Sequence, residues 1–417
     1  MLSRPWRSKK DNDVSRFFDN LETRSVDARE MAQFAALSAQ IARARSLPGY
    51  ALGLAGVDAR DIRSRADLAR LPVLRKSGLS LAQAGAAPFG GLTSLPAHRF
   101  AHVFQSPGPI YEPGGAGHDW WRMGRFLHAC GIGRGDIVQN CFSYHLVPAG
   151  MMFENGARAV GASVLPAGTG QTELQAQAAH DIGTTAYAGT PDYLKIILDK
   201  AEEMGLALNI TKAAVGGGAL FPSLRADYAA RGITCLQCYG TADLGNIAYE
   251  SPAQDGLIVD EGVIVEIVTP GTGDPVAPGA VGEVVVSTLN PDYPLIRFAT
   301  GDLSAVMTGQ SPCGRTNMRI RGWMGRADQT TKIKGMFVRP EQVAALVARH
   351  AEVRRARVIA SRVGETDVMT VQIEADGGTP EHYAGSVRDV LKLKGHIEIV
   401  SSLPDDGKVI EDQRSYE

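Results

Sequence analysis

The sequence has no run of about 18 uncharged apolar residues, the length that a membrane-spanning helix requires. It also has no excess of either charge, because 43 basic and 45 acidic side chains give a formal net charge of −2. Its longest block of Lys and Arg is Arg7–Lys10, and no apolar segment of a signal peptide follows it. These absences argue against membrane insertion, secretion and nucleic-acid binding. We therefore expect a soluble, cytoplasmic protein.

Cysteine is also scarce, with five residues scattered through 417. An odd number in a chain of this length favours a reducing compartment over a disulfide framework. Cys235 and Cys238 form a Cys-x-x-Cys pair, but a zinc site needs two further ligands at matching spacing, and only Cys313 is available. Both cysteines lie in an apolar segment, where cysteine behaves as a small buried hydrophobe. We favour this structural role over metal binding.

The length and the 44% content of hydrophobic residues predict two domains. The first hundred residues have the apolar spacing of helices joined by short polar breaks. From about Arg134, short apolar runs alternate with helical stretches, which predicts a mostly parallel sheet with flanking helices. Ligands of such sheets bind outside the carboxyl ends of the strands.

Two later segments have different patterns. GVIVEIV and GEVVVST alternate like antiparallel strands around a Pro/Gly-rich turn, which predicts a small barrel-like β part. From Gly325–Asp328 onward the pattern is helix, strand, strand, helix and strand. We therefore predict an α/β fold with a large N-terminal domain (1–325) and a small C-terminal α+β domain (326–417).

Seven segments together suggest a family. In chain order they are LETRSVDARE, RADLARLPVLRKSGL, PAGTGQTELQ, CYGTADLG, PLIRFATGDL, GRADQTTKIKGMFVRPEQV and SLPDDGK. Their order and spacing resemble the adenylate-forming acyl-CoA ligases, and most closely the phenylacetate–CoA ligase branch. The resemblance covers nearly the whole chain.

The resemblance implies an acid–thiol ligase. Such enzymes join a carboxylate to AMP with loss of pyrophosphate and then transfer the acyl group to a thiol. The implied cofactors are ATP/AMP, Mg²⁺ and coenzyme A. The implied partners are a small carboxylic acid, a nucleotide and the pantetheine thiol of CoA or of a carrier protein, and family habit suggests a homodimer. The protein must hold the nucleotide and place a carboxylate oxygen on the α-phosphorus.

The adenine site needs a flat floor and an aromatic cover. Three glycines, Gly216–Gly218, follow a strand-like segment, and Tyr239 follows the next one. An ordinary strand-to-helix turn is the alternative for the glycines. The predicted nucleotide contacts in this part of the chain are Gly217, Gly218, Ala219, Tyr239, Gly240 and Thr241.

Four charged residues resemble the family's ribose and metal contacts. Asp302 lies in a Thr-Gly-Asp turn, where a carboxylate can accept both ribose hydroxyls, and Arg297 and Arg326 flank it like the family's ribose clamp. A surface ion pair is the alternative for Arg326. Asp243 stands where the family has a Mg²⁺-binding glutamate, and a cap for a following helix is its alternative.

The C-terminal part supplies the remaining catalytic candidates. Lys408 matches the lysine that reaches the α-phosphate, although an exposed lysine so near a chain end is usually only solvated. The resemblance implies that the small domain moves between two geometries, with Asp328 at the hinge. Lys334 and Gly335 match the loop used for thioester formation.

The acid-binding pocket is expected after the strand-like GDIVQNCF. Phe142, Tyr144 and His145 are the candidate substrate contacts. A lone histidine beside an apolar run is more often a core residue than a catalyst.

The sequence departs from the family at the phosphate loop. The family has a Ser/Thr/Gly-rich loop with a lysine, whereas this chain has FQSPGPIYEPGG at Phe104–Gly115. Its three prolines remove backbone N–H groups, only Ser106 retains a hydroxyl, and Glu112 adds a repulsive charge. The Ser/Thr that the family has before the Mg²⁺ ligand is Ala242 here. We therefore predict that the site binds adenosine better than the β- and γ-phosphates.

Two functions remain open. The first is an acyl- or aryl-CoA ligase with an altered phosphate loop. The second is a non-ligase homologue that binds a nucleotide or an acyl ligand, or that transfers acyl groups without ATP. Retention of Asp302, Arg326 and Lys408 favours the ligase.

Overall fold

The computed structural model describes residues 16–364, 366–375, 377–404 and 408–414. The chain divides into two compact units. The first unit contains the residues up to Thr300 together with Ala305–Gly322. The second unit contains Gly301–Ser304 and the residues from Trp323 onward.

The described residues form ten α-helices, two of them in the second unit. The helices are α1 Val26–Ala44, α2 Arg65–Leu68, α3 Leu79–Gly85, α4 Gly124–Ala129, α5 Ala149–Ala159, α6 Thr172–Ile182, α7 Pro191–Glu203, α8 Pro222–Ala230, α9 Pro340–Val347 and α10 Pro380–Leu391. Short 3₁₀ helices span Asn20–Thr23, Pro48–Tyr50, Ala59–Asp61, Lys76–Gly78 and Ala97–Arg99.

The strands alternate with these helices in the middle of the chain and follow one another elsewhere. The strands of the first part are β1 Leu74–Arg75, β2 His102–Ser106, β3 Ile110–Gly114, β4 Ile137–Asn140, β5 Ser163–Leu165, β6 Ala186–Gly189, β7 Lys212–Val215, β8 Thr234–Thr241, β9 Gly245–Glu250 and β10 Leu257–Val259. The remaining strands are β11 Val263–Val268, β12 Val281–Thr288, β13 Phe298–Met307, β14 Arg319–Ile320, β15 Thr331–Ile333, β16 Met336–Val338, β17 Val353–Val363, β18 Thr366–Ala375, β19 His396–Val400 and β20 Ile410–Asp412.

Parallel strands form one half of the large sheet, in the order β5-β4-β6-β7-β8. Helices connect them, as parallel neighbours require. All four residues of β6 are buried, and β7 is buried over its last three, which is the continuous burial expected of a strand covered on both faces. The predicted α/β class is confirmed for this part.

Antiparallel strands continue the same sheet in the order β8-β9-β10-β14-β13-β12-β11. β11 and β12 pair antiparallel from Val263↔Thr288 to Val268↔Glu283, as their alternating sequences predict. β1 pairs parallel with β13. These strands thus continue the large sheet along one path of hydrogen-bonded neighbours.

The N-terminal helices pack on this antiparallel half. Ser25 caps α1 by accepting a hydrogen bond from the Ala28 N–H, and the helix buries Leu37 and Ile41 completely. These side chains belong to a core that also contains Val265 and Phe298. The apolar spacing that predicted a helix here is therefore the face that packs on the sheet.

The second unit has its own core and sheet. Its strands are ordered β19-β18-β17-β20, and β15 and β16 form a separate hairpin. The fully buried Val358, Val371, Tyr383 and Leu391 join this sheet to α10. The predicted pattern of helix, strand, strand, helix and strand is present in this order.

The cysteines agree with the structural role predicted from the sequence. Cys235 and Cys238 lie on β8 as free thiols, and burial raises the pKa of Cys235 to about 12. Both therefore behave as small hydrophobic side chains. Within the described residues, no helix combines the length and apolarity needed to cross a bilayer.

Candidate active site

The glycine turn and Tyr239 lie side by side at the carboxyl edge of the parallel strands. β7 and β8 are neighbours up to the pair Val215↔Gln237, so both segments leave the sheet at the same edge. A Cβ atom on Gly216 would lie 3.0 Å from the Cys238 Sγ, and Gly217 has a φ of 69°, which favours glycine. Gly217 and Gly218 are exposed there. This edge offers the flat, side-chain-free surface expected of an adenine floor.

Tyr239 is tied to the segment that leads to Asp302. Its hydroxyl donates to the Thr300 Oγ1 at 3.1 Å, and the Thr300 hydroxyl donates to the Val284 carbonyl at 3.1 Å. Thr300 was not among the predicted site residues. Thr300 is the first residue of the Thr-Gly-Asp turn from which Asp302 was predicted, so the same motif could have identified it.

A hairpin, not a helix, follows Tyr239. β8 turns directly into β9, with Thr241 opposite Gly245. The Thr241 Oγ1 accepts the Leu244 N–H at 3.2 Å within this turn. A Cβ on Gly240 would lie 2.6 Å from the Gly245 carbonyl oxygen, so the hairpin requires glycine at this position. The alternative role of Asp243 as a cap for a following helix is therefore wrong.

Asp243 forms an ion pair that the sequence did not predict. Its Oδ2 lies 2.5 Å from the Lys76 Nζ, and the carboxylate is fully buried. Lys76 begins the 3₁₀ helix after β1, which pairs with β13 in the same sheet. Lys76 lies in RADLARLPVLRKSGL, one of the segments that resemble the family. Its positive charge was the only feature that could have suggested a partner for an acidic residue. The structure thus places a cation beside the predicted Mg²⁺ ligand.

The altered phosphate segment forms a hairpin of β2 and β3. The two strands pair from His102↔Gly114 to Ser106↔Ile110, which leaves only three residues in the turn. Outside this ladder, the Gln105 N–H donates to the Leu146 carbonyl, and the Tyr111 N–H donates to the Gln83 Oε1. These N–H groups are therefore used within the protein.

Glu112 is the most unusual residue of this hairpin. It is completely buried, and no described residue donates a hydrogen bond to either of its carboxylate oxygens. Burial and the charge of Asp243 raise its pKa from 4.5 to about 8. Glu112 is therefore protonated in most molecules at pH 7. The repulsive charge predicted from the sequence is largely absent at this pH.

The surroundings of Glu112 contain further polar atoms. Ser106 lies on the partner strand, and the charge of Lys76 lowers the pKa of Glu112 in part. The Tyr293 hydroxyl and the Asp243 Oδ1 are buried without a hydrogen-bond partner among the described residues. The hairpin therefore packs against a group of polar side chains, which consists of Glu112, Asp243, Lys76, Tyr293 and Ser106.

In the second unit, one arginine connects two of the predicted residues. The Arg326 Nη1 lies 2.9 Å from the Asp302 Oδ1, and its Nη2 lies 2.7 Å from the Asp328 Oδ2. The Trp323 indole N–H also donates to the Asp302 Oδ1 at 3.1 Å. A Cβ on Gly301 would lie 2.5 Å from the Arg326 guanidinium, which explains the glycine in the Thr-Gly-Asp turn.

These ion pairs shift the pKa values of Asp328 and Arg326. Burial alone would raise the pKa of Asp328, but the hydrogen bonds and charge of Arg326 lower it overall. The same ion pairs outweigh burial and raise the pKa of Arg326. The predicted ribose carboxylate and the predicted hinge carboxylate therefore share a permanent cation.

Arg297 does not belong to a ribose clamp. Its side chain is 2% exposed and pairs with Glu266 at 3.1 Å. The remaining guanidinium N–H groups donate to three main-chain carbonyls, those of Ala69, Leu71 and Gly273. This arginine holds the interior of the first unit together, and its assignment to nucleotide binding from the sequence was wrong.

Lys408 is half-exposed and lies on an anchored backbone. Arg357 donates to the Lys408 carbonyl at 3.0 Å and to the Pro404 carbonyl at 3.4 Å, on either side of the loop. The Gln329 Oε1 accepts the Val409 N–H at 2.7 Å. The Lys408 Nζ lies 3.8 Å from the Glu411 Oε1. The acidic part of the DDGK motif, 405–407, lies outside the described residues.

Lys334 and Gly335 form the turn between β15 and β16. Their φ angles are 47° and 82°, and the Lys334 N–H donates to the Asp367 Oδ2. Both residues are exposed. They lie in the second unit with Asp328 and Lys408. Their role in thioester formation stays a prediction, as does convergence of Lys408 and Tyr239 on one cleft.

The candidate substrate residues differ in exposure. Phe142 is buried and stacks on Phe153 at 4.2 Å, and its Cε1 lies 3.7 Å from a Cβ position on Gly217. The Tyr144 hydroxyl accepts a hydrogen bond from Asn140, and burial raises its pKa. His145 is exposed. Phe142 therefore lies next to the glycine turn, which is where an acyl group joined to an adenylate would be.

Comparison with known proteins places this site in a family. A phenylacetate-coenzyme A ligase of Aromatoleum evansii is 30% identical over 374 residues, which cover 85% of this chain and 83% of the relative. The phenylacetate-coenzyme A ligase of Thermus thermophilus is 29% identical over 338 residues, covering 77% of this chain and 75% of the relative. No protein-family model matches the chain.

Solved structures show the same fold. A 2-hydroxyisobutyryl-CoA ligase, solved with 2-HIB-AMP and CoA in the thioesterification state, superposes with a TM-score of 0.79 at 23% identity. The superposition covers 97% of this chain and 94% of that ligase. An o-succinylbenzoate CoA synthetase of Bacillus subtilis, bound to a product analogue, superposes with a TM-score of 0.56 at 14% identity and covers 76% of this chain and 69% of the synthetase. The Aromatoleum relative is 30% identical over most of both chains. The chain therefore belongs to the phenylacetate–CoA ligase family.

Proposed function

We propose that this protein is an AMP-forming ligase that joins a carboxylic acid to the thiol of coenzyme A. The observation that carries the proposal is Arg326, which holds the predicted ribose carboxylate Asp302 and the predicted hinge carboxylate Asp328 at 2.9 and 2.7 Å. Asp302, Arg326 and Asp328 match the family's ribose and hinge positions, and this contact joins all three. Membership of a ligase family supports the same conclusion.

The proposed reaction has two steps. In the first, a carboxylate oxygen forms a bond to the α-phosphorus of ATP, and the bond to pyrophosphate breaks. We assign adenine to the glycine turn and Tyr239, ribose to Asp302, and the charge that develops on the α-phosphate to Lys408. In the second step the thiol sulfur bonds to the acyl carbon, its proton is lost to solvent, and AMP leaves.

The phosphate side of the proposed site differs from that of a standard ligase. The hairpin of β2 and β3 uses the N–H groups of Gln105 and Tyr111 internally, and no lysine lies in it. If three charge-assisted contacts are lost at about 1.5–3 kcal/mol each, binding of the β- and γ-phosphates falls by several orders of magnitude. Lys76 is the cation present beside Asp243, and we propose that it partly replaces the missing lysine.

Mg²⁺ fits the donor atoms at this place. The Asp243 Oδ1 is a buried carboxylate oxygen without a described partner, and carboxylate oxygens are the ligands that Mg²⁺ prefers. Asp243 would hold the ion. The ion would neutralise phosphate charge when it is bound. Asp243 also neutralises and orients Lys76.

The acid is proposed to be small and largely apolar. Phe142 and Phe153 offer stacked aromatic rings beside the glycine turn, and Tyr144 offers a hydroxyl. The relatives named as phenylacetate-coenzyme A ligases make aryl acids the first substrates to test. The free, buried cysteines agree with action in the reducing cytoplasm.

Carboxylate-dependent exchange of labelled pyrophosphate into ATP tests the proposal. We expect exchange with at least one member of a panel of aryl and short-chain acids, and only background exchange when the acid is omitted. Because exchange requires only the first step, it does not depend on the identity of the thiol. No exchange with any acid, in protein that is folded and binds AMP, would favour the non-ligase function.

A further inference from the structure

Three side chains with metal-binding atoms converge at one end of the second unit. His350 follows α9, Glu352 immediately precedes β17, and His382 lies in the first turn of α10. Within the described residues these three form the only group of His, Cys, Asp and Glu whose ligand atoms all lie within 4.8 Å of one another. None of the three belongs to the proposed active site.

The distances from Glu352 to the two histidines are close to those between the ligands of a tetrahedral metal ion, and all three ligand atoms lie within 4.8 Å of one another. The Glu352 Oε1 lies 3.6 Å from the His350 Nδ1 and 3.2 Å from the His382 Nε2. Ligands at 2.0–2.2 Å from a tetrahedral Zn²⁺ are separated by roughly 3.3–3.5 Å. Only small side-chain movements are therefore needed to place all three atoms on one ion.

The surroundings hold both imidazole rings in place. The His350 Nε2 lies 2.8 Å from the Ser386 Oγ, so the Nδ1 faces Glu352. A hydrogen bond on the second ring nitrogen is the usual support of a metal-bound histidine, because it fixes the tautomer and orients the ring. Tyr383 is fully buried and packs edge-on against both rings, at centroid distances of 5.0 and 4.8 Å.

We propose that His350, Glu352 and His382 bind one Zn²⁺ ion. Two imidazoles and one carboxylate are a ligand set for Zn²⁺ and neighbouring transition metals, whereas Mg²⁺ and Ca²⁺ prefer oxygen ligands. The fourth position is open to water because Glu352 and His382 are 44% and 55% exposed. The ion joins the segment between α9 and β17 to the start of α10, and so it stabilises the second unit.

Metal titration of the full chain tests the proposal. The protein is stripped of metal with EDTA and titrated with Zn²⁺ in competition with a chromophoric chelator. We expect one Zn²⁺ per chain, and we expect His350→Gln and His382→Gln each to weaken binding at least about 100-fold. Ser386→Ala removes only the support of the ring, and we expect it to weaken binding about tenfold.

A matched control lies in the same unit. His396 is exposed and lies 3.8 Å from the Glu398 carboxylate, without a third ligand. We expect His396→Gln to leave Zn²⁺ affinity unchanged, and Co²⁺ to give the visible absorption bands of four-coordinate geometry only when His350 and His382 are both present. Absence of a 1:1 site in the wild-type chain, or equal affinity of His382→Gln and wild type, would overturn the proposal.

Discussion

Replacing Lys408 with alanine should slow carboxylate-dependent adenylation about 10²–10³-fold, the usual effect of removing one group that stabilises transition-state charge. The backbone on both sides of Lys408 is anchored by Arg357 and Gln329, so the substitution removes the ammonium group without releasing the segment. The Lys408 Nζ lies 3.8 Å from the Glu411 Oε1, and a half-exposed ion pair at this distance is weak. The measurement is the rate of pyrophosphate exchange.

Two comparisons separate catalysis from general damage. Lys394→Ala removes an exposed lysine of the same unit and should leave the rate unchanged. The thioester step, started from a supplied acyl-adenylate and CoA, should change less than threefold in Lys408→Ala, because the proposed role of this lysine is limited to the first step. Equal exchange rates for Lys408→Ala and wild type would show that Lys408 is not the α-phosphate cation.

Replacing Glu112 with glutamine should alter how stability depends on pH. The pKa of Glu112 is about 8 in the folded chain against an ordinary value of 4.5, so the folded state binds the proton more tightly. The contribution of Glu112 is therefore fully present below pH 4.5 and is lost as the pH rises through 8. Glutamine is neutral at every pH and has nearly the same shape. The Glu112→Gln variant therefore does not lose this stability as the pH rises.

The expected difference is about 4–5 kcal/mol in the free energy of unfolding at pH 9, in favour of Glu112→Gln. At pH 5 the two proteins should be nearly equally stable. Urea unfolding in EDTA and without nucleotide measures this difference, and subtraction of the two curves cancels the titrating groups that do not interact with Glu112. A difference for Glu112→Gln that does not vary with pH would show that Glu112 titrates normally.

Local sequence patterns predicted most of the fold and the proximity of the glycine turn to Tyr239. The buried runs that form β6, β7 and β8 indicated parallel strands, and parallel strands bring their carboxyl ends to one edge. The glycine turn and Tyr239 therefore had to be neighbours. The order of the antiparallel strands in the sheet was not predictable in this way, because it depends on pairings between distant segments.

The residues that sequence reasoning missed or misassigned interact over long distances in the chain. Lys76 and Asp243 are 167 positions apart, and no local pattern relates them. Arg297 was misassigned because its motif lies next to Asp302, whereas its side chain turns towards Glu266 and main-chain carbonyls. Burial of Glu112 depends on the packing of the hairpin, so its protonation could not be predicted from the letters around it.

Titration of the wild-type protein with AMP and with ATP, in the presence of Mg²⁺, tests the central claim most directly. The claim is that the site retains the contacts to adenosine while the hairpin of β2 and β3 no longer cradles the β- and γ-phosphates. We predict that AMP binds at least as tightly as ATP. ATP binding clearly tighter than AMP would contradict the account, because it would require strong contacts to the two outer phosphates.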